Sequence, residues 1–208
     1  MWFLTNEGMD RYNGQDIKHY KLNKEGTTLD APIRLGWLYT EPHIGIWVVG
    51  KQGRIFQYET DRDDFKMVYK LPDTSEAISC GYLDRNNNIW LCRKDTVLLY
   101  NMKDAHVVQF PNVLHSSITA IEQVDEHHFF IATETGVRYV KLENGVLEAM
   151  PVETLDYFHA QVSELYFHRQ SKRLFIGSFE RGVFVYDMNT QEIIRPDADL
   201  SDVNIARI

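Results

Sequence analysis

Short apolar segments alternate with polar turns along the whole chain, and no stretch repeats with the period of an amphipathic helix. Five of the apolar segments carry an aromatic residue near their start. The aligned aromatics are Trp2, Trp47, Trp90, Phe130 and Phe175. Their spacings of 45, 43, 40 and 45 residues match the length of one blade of a propeller, roughly 40–50 residues.

Each aromatic segment is predicted to be the second of four strands, labelled A to D in chain order. A polar turn follows it, and four of these five B–C turns contain a glycine, which supplies the positive φ of a tight hairpin. These glycines are Gly8, Gly53, Gly136 and Gly182. The third repeat has Lys94-Asp95 instead, and aspartate tolerates positive φ fairly well. Strand C ends in tyrosine in every repeat except the fourth, at Tyr12, Tyr58, Tyr100 and Tyr186.

The repeat therefore predicts an all-β fold, a β-propeller of about five four-stranded blades in a single domain, 1–208. The predicted blades cover 1–24 (strands B to D only), 33–72, 78–112, 118–152 and 162–196, with a final strand A at 203–208. Pairing of that last strand with the first blade would close a five-bladed ring and remove exposed sheet edges. A fragment of a larger propeller would keep open edges, and the sequence leaves both arrangements open.

The charge of the chain indicates which partners to exclude, and its two cysteines raise the question of a disulfide. The formal net charge is −8, with 30 acidic against 22 basic side chains, and no run of Lys or Arg occurs. Nucleic acid and anionic membrane surfaces are therefore not expected partners, because both require a basic face. No apolar run is long enough for a membrane span. Cys80 and Cys92 fall on neighbouring predicted strands, where two buried thiols are favoured over a cross-strand disulfide.

The sequence predicts no catalytic residues, no metal and no cofactor. Its eight histidines form no H-E-x-x-H or paired C-x-x-C pattern, and no serine lies in a G-x-S-x-G elbow. Residues 84–88 resemble the start of a calcium loop but lack its glycine and distal glutamate, so a polar hairpin turn is favoured. The acidic segment 61–64 is interpreted as a solvated C–D loop. A catalytic pair drawn from distant loops stays open.

A ligand is expected on the face where the B–C turns and D–A connections meet around the central channel. The aromatics of strand B and the turn glycines are assigned to packing and turns rather than to this site. The rim varies from blade to blade, and it offers polar groups and one exposed aromatic to a sugar. The predicted rim residues are Arg34, Lys51, Arg93, Glu134, Phe179 and Arg181. Second residues of strand A, namely Ser79, Thr119 and Ser163, are expected beside them.

The repeated unit resembles the blade of the two-component regulator propeller, which reads roughly I-x-x-I-x-x-D-x-x-G-x-L-W-I-G-T-x-x-G-L-x-x-Y. Residues 2–14 follow the second half of this pattern closely, and residues 78–100 and 162–186 follow the whole pattern in weaker form. The resemblance extends over essentially the whole chain. Such propellers usually have about seven blades, so about five blades is a departure.

The resemblance implies the periplasmic sensor region of a hybrid two-component histidine kinase of Bacteroides-type bacteria. It implies a non-catalytic role in signal transduction, with an oligosaccharide from glycan degradation as the ligand. Neighbouring sensor domains or a second protomer are the implied protein partners. The first five residues have no features of a signal peptide, so the periplasmic location follows from the resemblance alone. A protein-interaction propeller and a lyase similar to the streptogramin-inactivating type are the alternative functions.

Overall fold

The structure is a computed structural model, and it describes residues 1–5, 8–22, 35–72, 76–179 and 181–195. These residues form five antiparallel sheets, each a meander of consecutive strands. Blade 1 contains β1 (Trp2–Leu4), β2 (Met9–Tyr12) and β3 (Ile17–Tyr20). Blade 2 contains β4 (Leu35–Glu41), β5 (Gly45–Gly50), β6 (Arg54–Glu59) and β7 (Asp64–Lys70). The all-β prediction is confirmed.

The other three blades have four strands each. Blade 3 contains β8 (Cys80–Leu83), β9 (Asn88–Cys92), β10 (Thr96–Asn101) and β11 (Val107–Pro111). Blade 4 contains β12 (Ile118–Gln123), β13 (His128–Thr133), β14 (Gly136–Glu143) and β15 (Val146–Met150). Blade 5 contains β16 (Val162–His168), β17 (Arg173–Ser178), β18 (Gly182–Asp187) and β19 (Glu192–Ile194). The A strands of blades 2 to 5 contact one another in order, so they line the inner side of the array. The predicted strand at 203–208 lies outside the described residues.

Strand A carries a β-bulge, and its position corrects the predicted alignment of blade 2. One extra residue interrupts the pairing of strands A and B at Gly36, Thr119 and Ser163. Gly36, and not Arg34, is therefore the equivalent of Thr119 and Ser163, so the predicted alignment of strand A in blade 2 is shifted by two residues. Apolar side chains at both Ile33 and Leu35 satisfied the period-two pattern, which cannot distinguish a shift of two residues. Arg34 itself lies outside the described residues.

Hydrophobic clusters fill the gap between each pair of consecutive blades, from blades 1–2 to blades 4–5. Trp47, Trp90 and Phe130 are buried in these gaps, as predicted. The ring of Phe130, for example, lies 5.7 Å from that of Phe167 in blade 5. Trp2 and Phe175, in the two end blades, are only partly buried. Among the described residues no such cluster joins blade 5 to blade 1.

The turn glycines have the predicted backbone conformation. Gly8, Gly53, Gly136 and Gly182 have φ values of 153°, 75°, 151° and 70°. At Gly136 a Cβ atom would also lie 2.3 Å from the main-chain oxygen of Phe158, so any side chain would force the two segments apart. In blade 3, Asp95 is not among the described residues with positive φ. Its turn closes instead with a bond from the Arg93 N–H to the Thr96 carbonyl at 2.8 Å.

Two local features complete the fold. The helix α1 (Glu153–Asp156) lies in the connection between blades 4 and 5, where Leu155 is buried in the interblade cluster. Cys80 and Cys92 lie directly opposite each other on β8 and β9, and both thiols are free and buried. Burial raises the pKa of Cys92. No helix within the described ranges has the length and apolar character needed to cross a membrane.

Candidate ligand-binding cleft

The predicted rim residues occupy the B–C turns, but their surroundings differ. Lys51, Glu134 and Arg181 are exposed, and Phe179 is 37% exposed. Arg93 is buried, with 9% of its surface exposed, and it contributes to the environment of Tyr69 in blade 2. A ligand on this rim would therefore meet Lys51, Glu134, Phe179 and Arg181 rather than the guanidinium of Arg93.

In blade 5 this rim carries a small organised surface. The Arg181 guanidinium donates a hydrogen bond to the His159 carbonyl at 3.0 Å and lies 5.5 Å from the centre of the Phe184 ring. Arg195 lies over the same ring at 5.5 Å and donates to the Arg181 carbonyl at 3.0 Å. Two arginines over one phenylalanine form cation–π contacts that hold both guanidinium groups in place. The predicted site residue Arg181 is therefore oriented by its neighbours.

Two of the three predicted strand A hydroxyls bond to strand B. Ser79, directly before β8, donates to the carbonyl of Cys92 at 3.2 Å, and Ser163 donates to the carbonyl of Gly177 at 3.1 Å. The Ser163 bond lies at the bulge of blade 5, so it helps to hold an irregular pair of strands together. The buried hydroxyl of Thr119 has no hydrogen-bond partner among the described residues.

A denser polar network lies on the opposite face, at the junction of blades 1 and 2. Asp63, in the C–D turn of blade 2, accepts hydrogen bonds from Arg11 at 2.9 Å and from Lys18 at 2.6 Å. The hydroxyl groups of Tyr20 and Tyr58 donate to the same carboxylate at 2.7 and 2.5 Å. Four side chains from two blades thus meet at one carboxylate, and charge-assisted bonds of this kind are the strong ones.

Electrostatics fix the charge state of this network. The hydrogen bond from Lys18, followed by those from Tyr58 and Tyr20, holds the pKa of Asp63 well below its usual range. Burial, followed by the hydrogen bond to Asp63, raises the pKa of Tyr20. Asp63 is therefore a carboxylate and Tyr20 a neutral phenol at neutral pH, which is the combination that the hydrogen bonds require.

The sequence interpretation of segment 61–64 as a merely solvated loop is wrong for Asp63. Its backbone has a positive φ of 49°, a conformation shared by Ala105 and Gln191 in the equivalent turns of blades 3 and 5. Of these three turns, only that of blade 2 carries a carboxylate at this position. Period-two patterns do not reveal such a contact, because the three partners in blade 1 are 43 to 52 residues away in the chain. An acidic residue at a turn position that is neutral in blades 3 and 5 was the available signal.

A cleft of about 430 Å³ opens beside this network, within the size range of small-ligand sites. Strand D of blade 1 and the residue after it form one wall, and the C–D turn of blade 2 forms the other. The lining residues are Lys18, His19, Tyr20, Lys21, Arg62, Asp63 and Asp64. Hydrogen-bond donors and acceptors from two blades thus converge on one concave surface.

Replacing Asp63 by alanine is expected to loosen this junction. The change would leave Arg11 and Lys18 as neighbouring like charges and remove the acceptor of two tyrosine hydroxyls. We expect a melting temperature several degrees lower than that of the original chain. Amide hydrogen exchange should speed up in β2 and β3 and change less in β9. Asp61→Ala, in the same turn, is the matched control. Equal exchange rates in both variants would contradict the assigned role of Asp63.

A second polar network joins the inner strands of blades 3, 4 and 5. Gln123 is buried, and its side-chain oxygen accepts the Arg85 N–H at 2.9 Å. Its own N–H donates to the Tyr82 hydroxyl at 3.0 Å. Its carbonyl accepts the guanidinium groups of Arg85 and Arg169 at 3.0 and 2.9 Å. One glutamine therefore holds together strands and turns from three consecutive blades.

Beside this network, the carboxyl group of Glu122 has a raised pKa. Burial raises its pKa to about 7, opposed by the charge of Arg85 and reinforced by that of Glu164. The N–H of Phe167 donates to it and acts in the lowering direction. Within the described ranges, no three His, Cys, Asp or Glu side chains lie close enough together to hold a metal ion.

Comparison with known proteins identifies the fold. No protein-family model matches the sequence, and no curated protein matches it. The structure of virginiamycin B lyase from Staphylococcus aureus superposes with a TM-score of 0.70 at 16% identity, covering 95% of this chain and 66% of the lyase. The extracellular domain of a hybrid two-component system from B. thetaiotaomicron gives 0.69 at 15% identity, covering 97% of this chain and 28% of that domain.

A third structure has the same fold in a different setting. PorZ, a surface component of the type-IX secretion system of Porphyromonas gingivalis, gives a TM-score of 0.64 at 12% identity, covering 91% of this chain and 31% of PorZ. The chain thus spans about two-thirds of the lyase and less than a third of the two larger proteins. At these identities the similarity concerns the fold alone. The five sheets are therefore blades of a β-propeller, as the repeat predicted.

Proposed function

We propose that the chain is a ligand-binding propeller of an extracytoplasmic sensor of the hybrid two-component type, and that it responds to oligosaccharides. The observation that carries the proposal is the cleft between blades 1 and 2, in a fold shared with the extracellular domain of such a system. The repeat pattern points in the same direction. The role is binding, and the signal is a change in the population of sensor conformations.

Three features of the cleft suit an oligosaccharide. Its volume accommodates one or two sugar rings, and its walls carry cationic, carboxylate and imidazole groups that can bond to hydroxyls. It also lies between two blades, so an occupant would contact both. Because the Asp63 network already holds these blades together, a ligand there would meet a largely pre-formed site.

A lyase function has less support. It would require histidine and carboxylate groups close together with altered pKa values. Glu122 is a carboxyl with a raised pKa on the inner strands, but the groups that shift that pKa are Arg85, Glu164 and the Phe167 N–H. Two described histidines do pair with carboxylates, His19 with Asp10 in blade 1 and His128 with Asp125 in blade 4, but each pair lies within one blade and neither includes Glu122. His168 bonds to Ser171. The binding function therefore agrees better with the distribution of these groups.

The direct test is thermal unfolding of the intact chain with a panel of plant, host and fungal oligosaccharides. A ligand that binds only the folded state stabilises it by about 2.7 kcal/mol at a concentration of 100 Kd. We expect a dose-dependent rise in melting temperature with one class of glycan and no rise with its monosaccharides. A folded chain that responds to no oligosaccharide in the panel would contradict the proposal.

A further inference from the structure

The cleft is rich in cationic groups, whereas the chain as a whole is acidic. The net charge of the chain is −8. Lys18, Lys21 and Arg62 nevertheless line the cleft, and Arg11 lies behind it on Asp63. Lys18 and Arg62 have side chains that are 48% and 74% exposed, so a ligand can reach them. Cations from two blades thus face one concave surface.

The carboxylates of the lining cancel only part of this charge, because Lys18, Lys21 and Arg62 stand against Asp63 and Asp64. Asp63 is shared between Arg11 and Lys18, so a single negative charge faces two positive ones. Asp64 accepts a hydrogen bond from the N–H of Phe65 at 2.9 Å. The pairing of Arg62 with Glu59 is longer, at 3.3 Å, and it lies on the exposed surface. Surface pairs of this kind are weak and exchange readily for a better acceptor.

The cleft offers a poor stacking surface for a neutral sugar ring. Tyr20 is the one Phe, Tyr or Trp ring of the lining, and it is only 3% exposed, while the imidazole of His19 is paired with Asp10. The Lys18 ammonium lies 4.7 Å from the centre of that ring, and the Arg11 guanidinium lies at 5.7 Å. Cations therefore take the place where a sugar face would stack. The remaining recognition chemistry is charge-assisted hydrogen bonding to an anion.

We infer that this cleft recognises an anionic group, a carboxylate or a sulfate, carried by an acidic oligosaccharide. The inference rests on the proposed function and specifies the class of its ligand. Lys21 and Arg62 are the two side chains that would contact the anion from opposite blades. Lys18 would keep Asp63 as its partner and add to the positive field.

Isothermal titration of the intact chain tests this inference. The probes are an oligogalacturonate, a sulfated disaccharide, inorganic sulfate and a neutral galactose oligomer. The variants are Lys21→Gln, Arg62→Gln and the double change, with Lys103→Gln in the C–D turn of blade 3 as the matched control. We expect an acidic oligosaccharide to bind, and each single change to weaken it by about tenfold, as for the loss of one charged hydrogen bond. The control should leave its Kd unchanged.

The outcomes separate this inference from the proposed function. Binding of the neutral oligomer with equal affinity in the double variant would overturn the anion site and leave the sensor function standing. If an acidic oligosaccharide binds tightly and its Kd is unchanged in the Lys21 and Arg62 variants, the binding site lies elsewhere and the inference is overturned. Inorganic sulfate binding as tightly as any oligosaccharide would also overturn it. If no glycan binds at all, both proposals fail together.

Discussion

The change Trp90→Ala should destabilise the chain by about 4 kcal/mol, the range measured when large aromatic residues are removed from protein cores. Trp90 is fully buried, and its ring lies 4.8 Å from that of Phe129 in the next blade. Its indole N–H also donates to the buried carboxylate of Asp84 at 2.9 Å. Truncation would therefore open a cavity between blades 3 and 4 and remove a donor from a buried acceptor. Equilibrium unfolding in urea measures the loss.

Two matched variants separate the contributions at this position. Phe175→Ala truncates the same repeat position in blade 5, where the ring is only partly buried, so we expect less than half the loss. Trp90→Phe keeps a ring in the gap but removes the bond to Asp84. It should cost about 1–3 kcal/mol, as expected for a buried polar group that loses one partner. Equal losses for Trp90→Ala and Phe175→Ala would contradict the assigned packing.

The fold could be predicted because its determinants are local and repeated. The aromatic of strand B and the turn glycine recur in most blades, so a weak signal in one blade is supported by the others. The errors occurred where the pattern was degenerate. Strand A of blade 2 was placed two residues early because two apolar residues, Ile33 and Leu35, fit the same position. The four-residue helix α1 was missed because a single turn has no periodicity to detect.

The candidate site was much harder to predict. The predicted rim consists of turn residues that vary from blade to blade, and the structure buries one of them, Arg93. The cleft on the opposite face depends on Asp63 meeting Arg11 and Tyr20, and these residues are far apart in the chain. Interblade geometry creates that contact. Sequence periodicity describes each blade separately, so it does not reveal which side chains of two blades will meet.

Glu122→Gln should make the chain more stable above neutral pH. Burial raises the pKa of Glu122 to about 7, whereas an unfolded glutamate titrates near 4.3. The folded state therefore binds the proton more tightly than the unfolded state. Its stabilising contribution is complete below pH 4, falls as the pH rises from there, and is lost above pH 7. The loss amounts to roughly 4 kcal/mol, since one pKa unit corresponds to 1.36 kcal/mol.

Glutamine imitates the protonated carboxyl at every pH. Its side-chain oxygen can accept the N–H of Phe167, and it adds no negative charge next to Glu164. The variant and the original chain should therefore be equally stable at pH 4, and the variant should be more stable at pH 8 by up to about 4 kcal/mol. Urea unfolding at a series of pH values measures both, with Glu126→Gln in the exposed turn of the same blade as the control. The contrary result is that the free energies of unfolding of the variant and the original chain differ by the same amount at every pH from 4 to 8. That result would show that Glu122, at the junction of blades 4 and 5, does not titrate in this range. The charge of Glu122 would then be accommodated by Arg85 throughout this range.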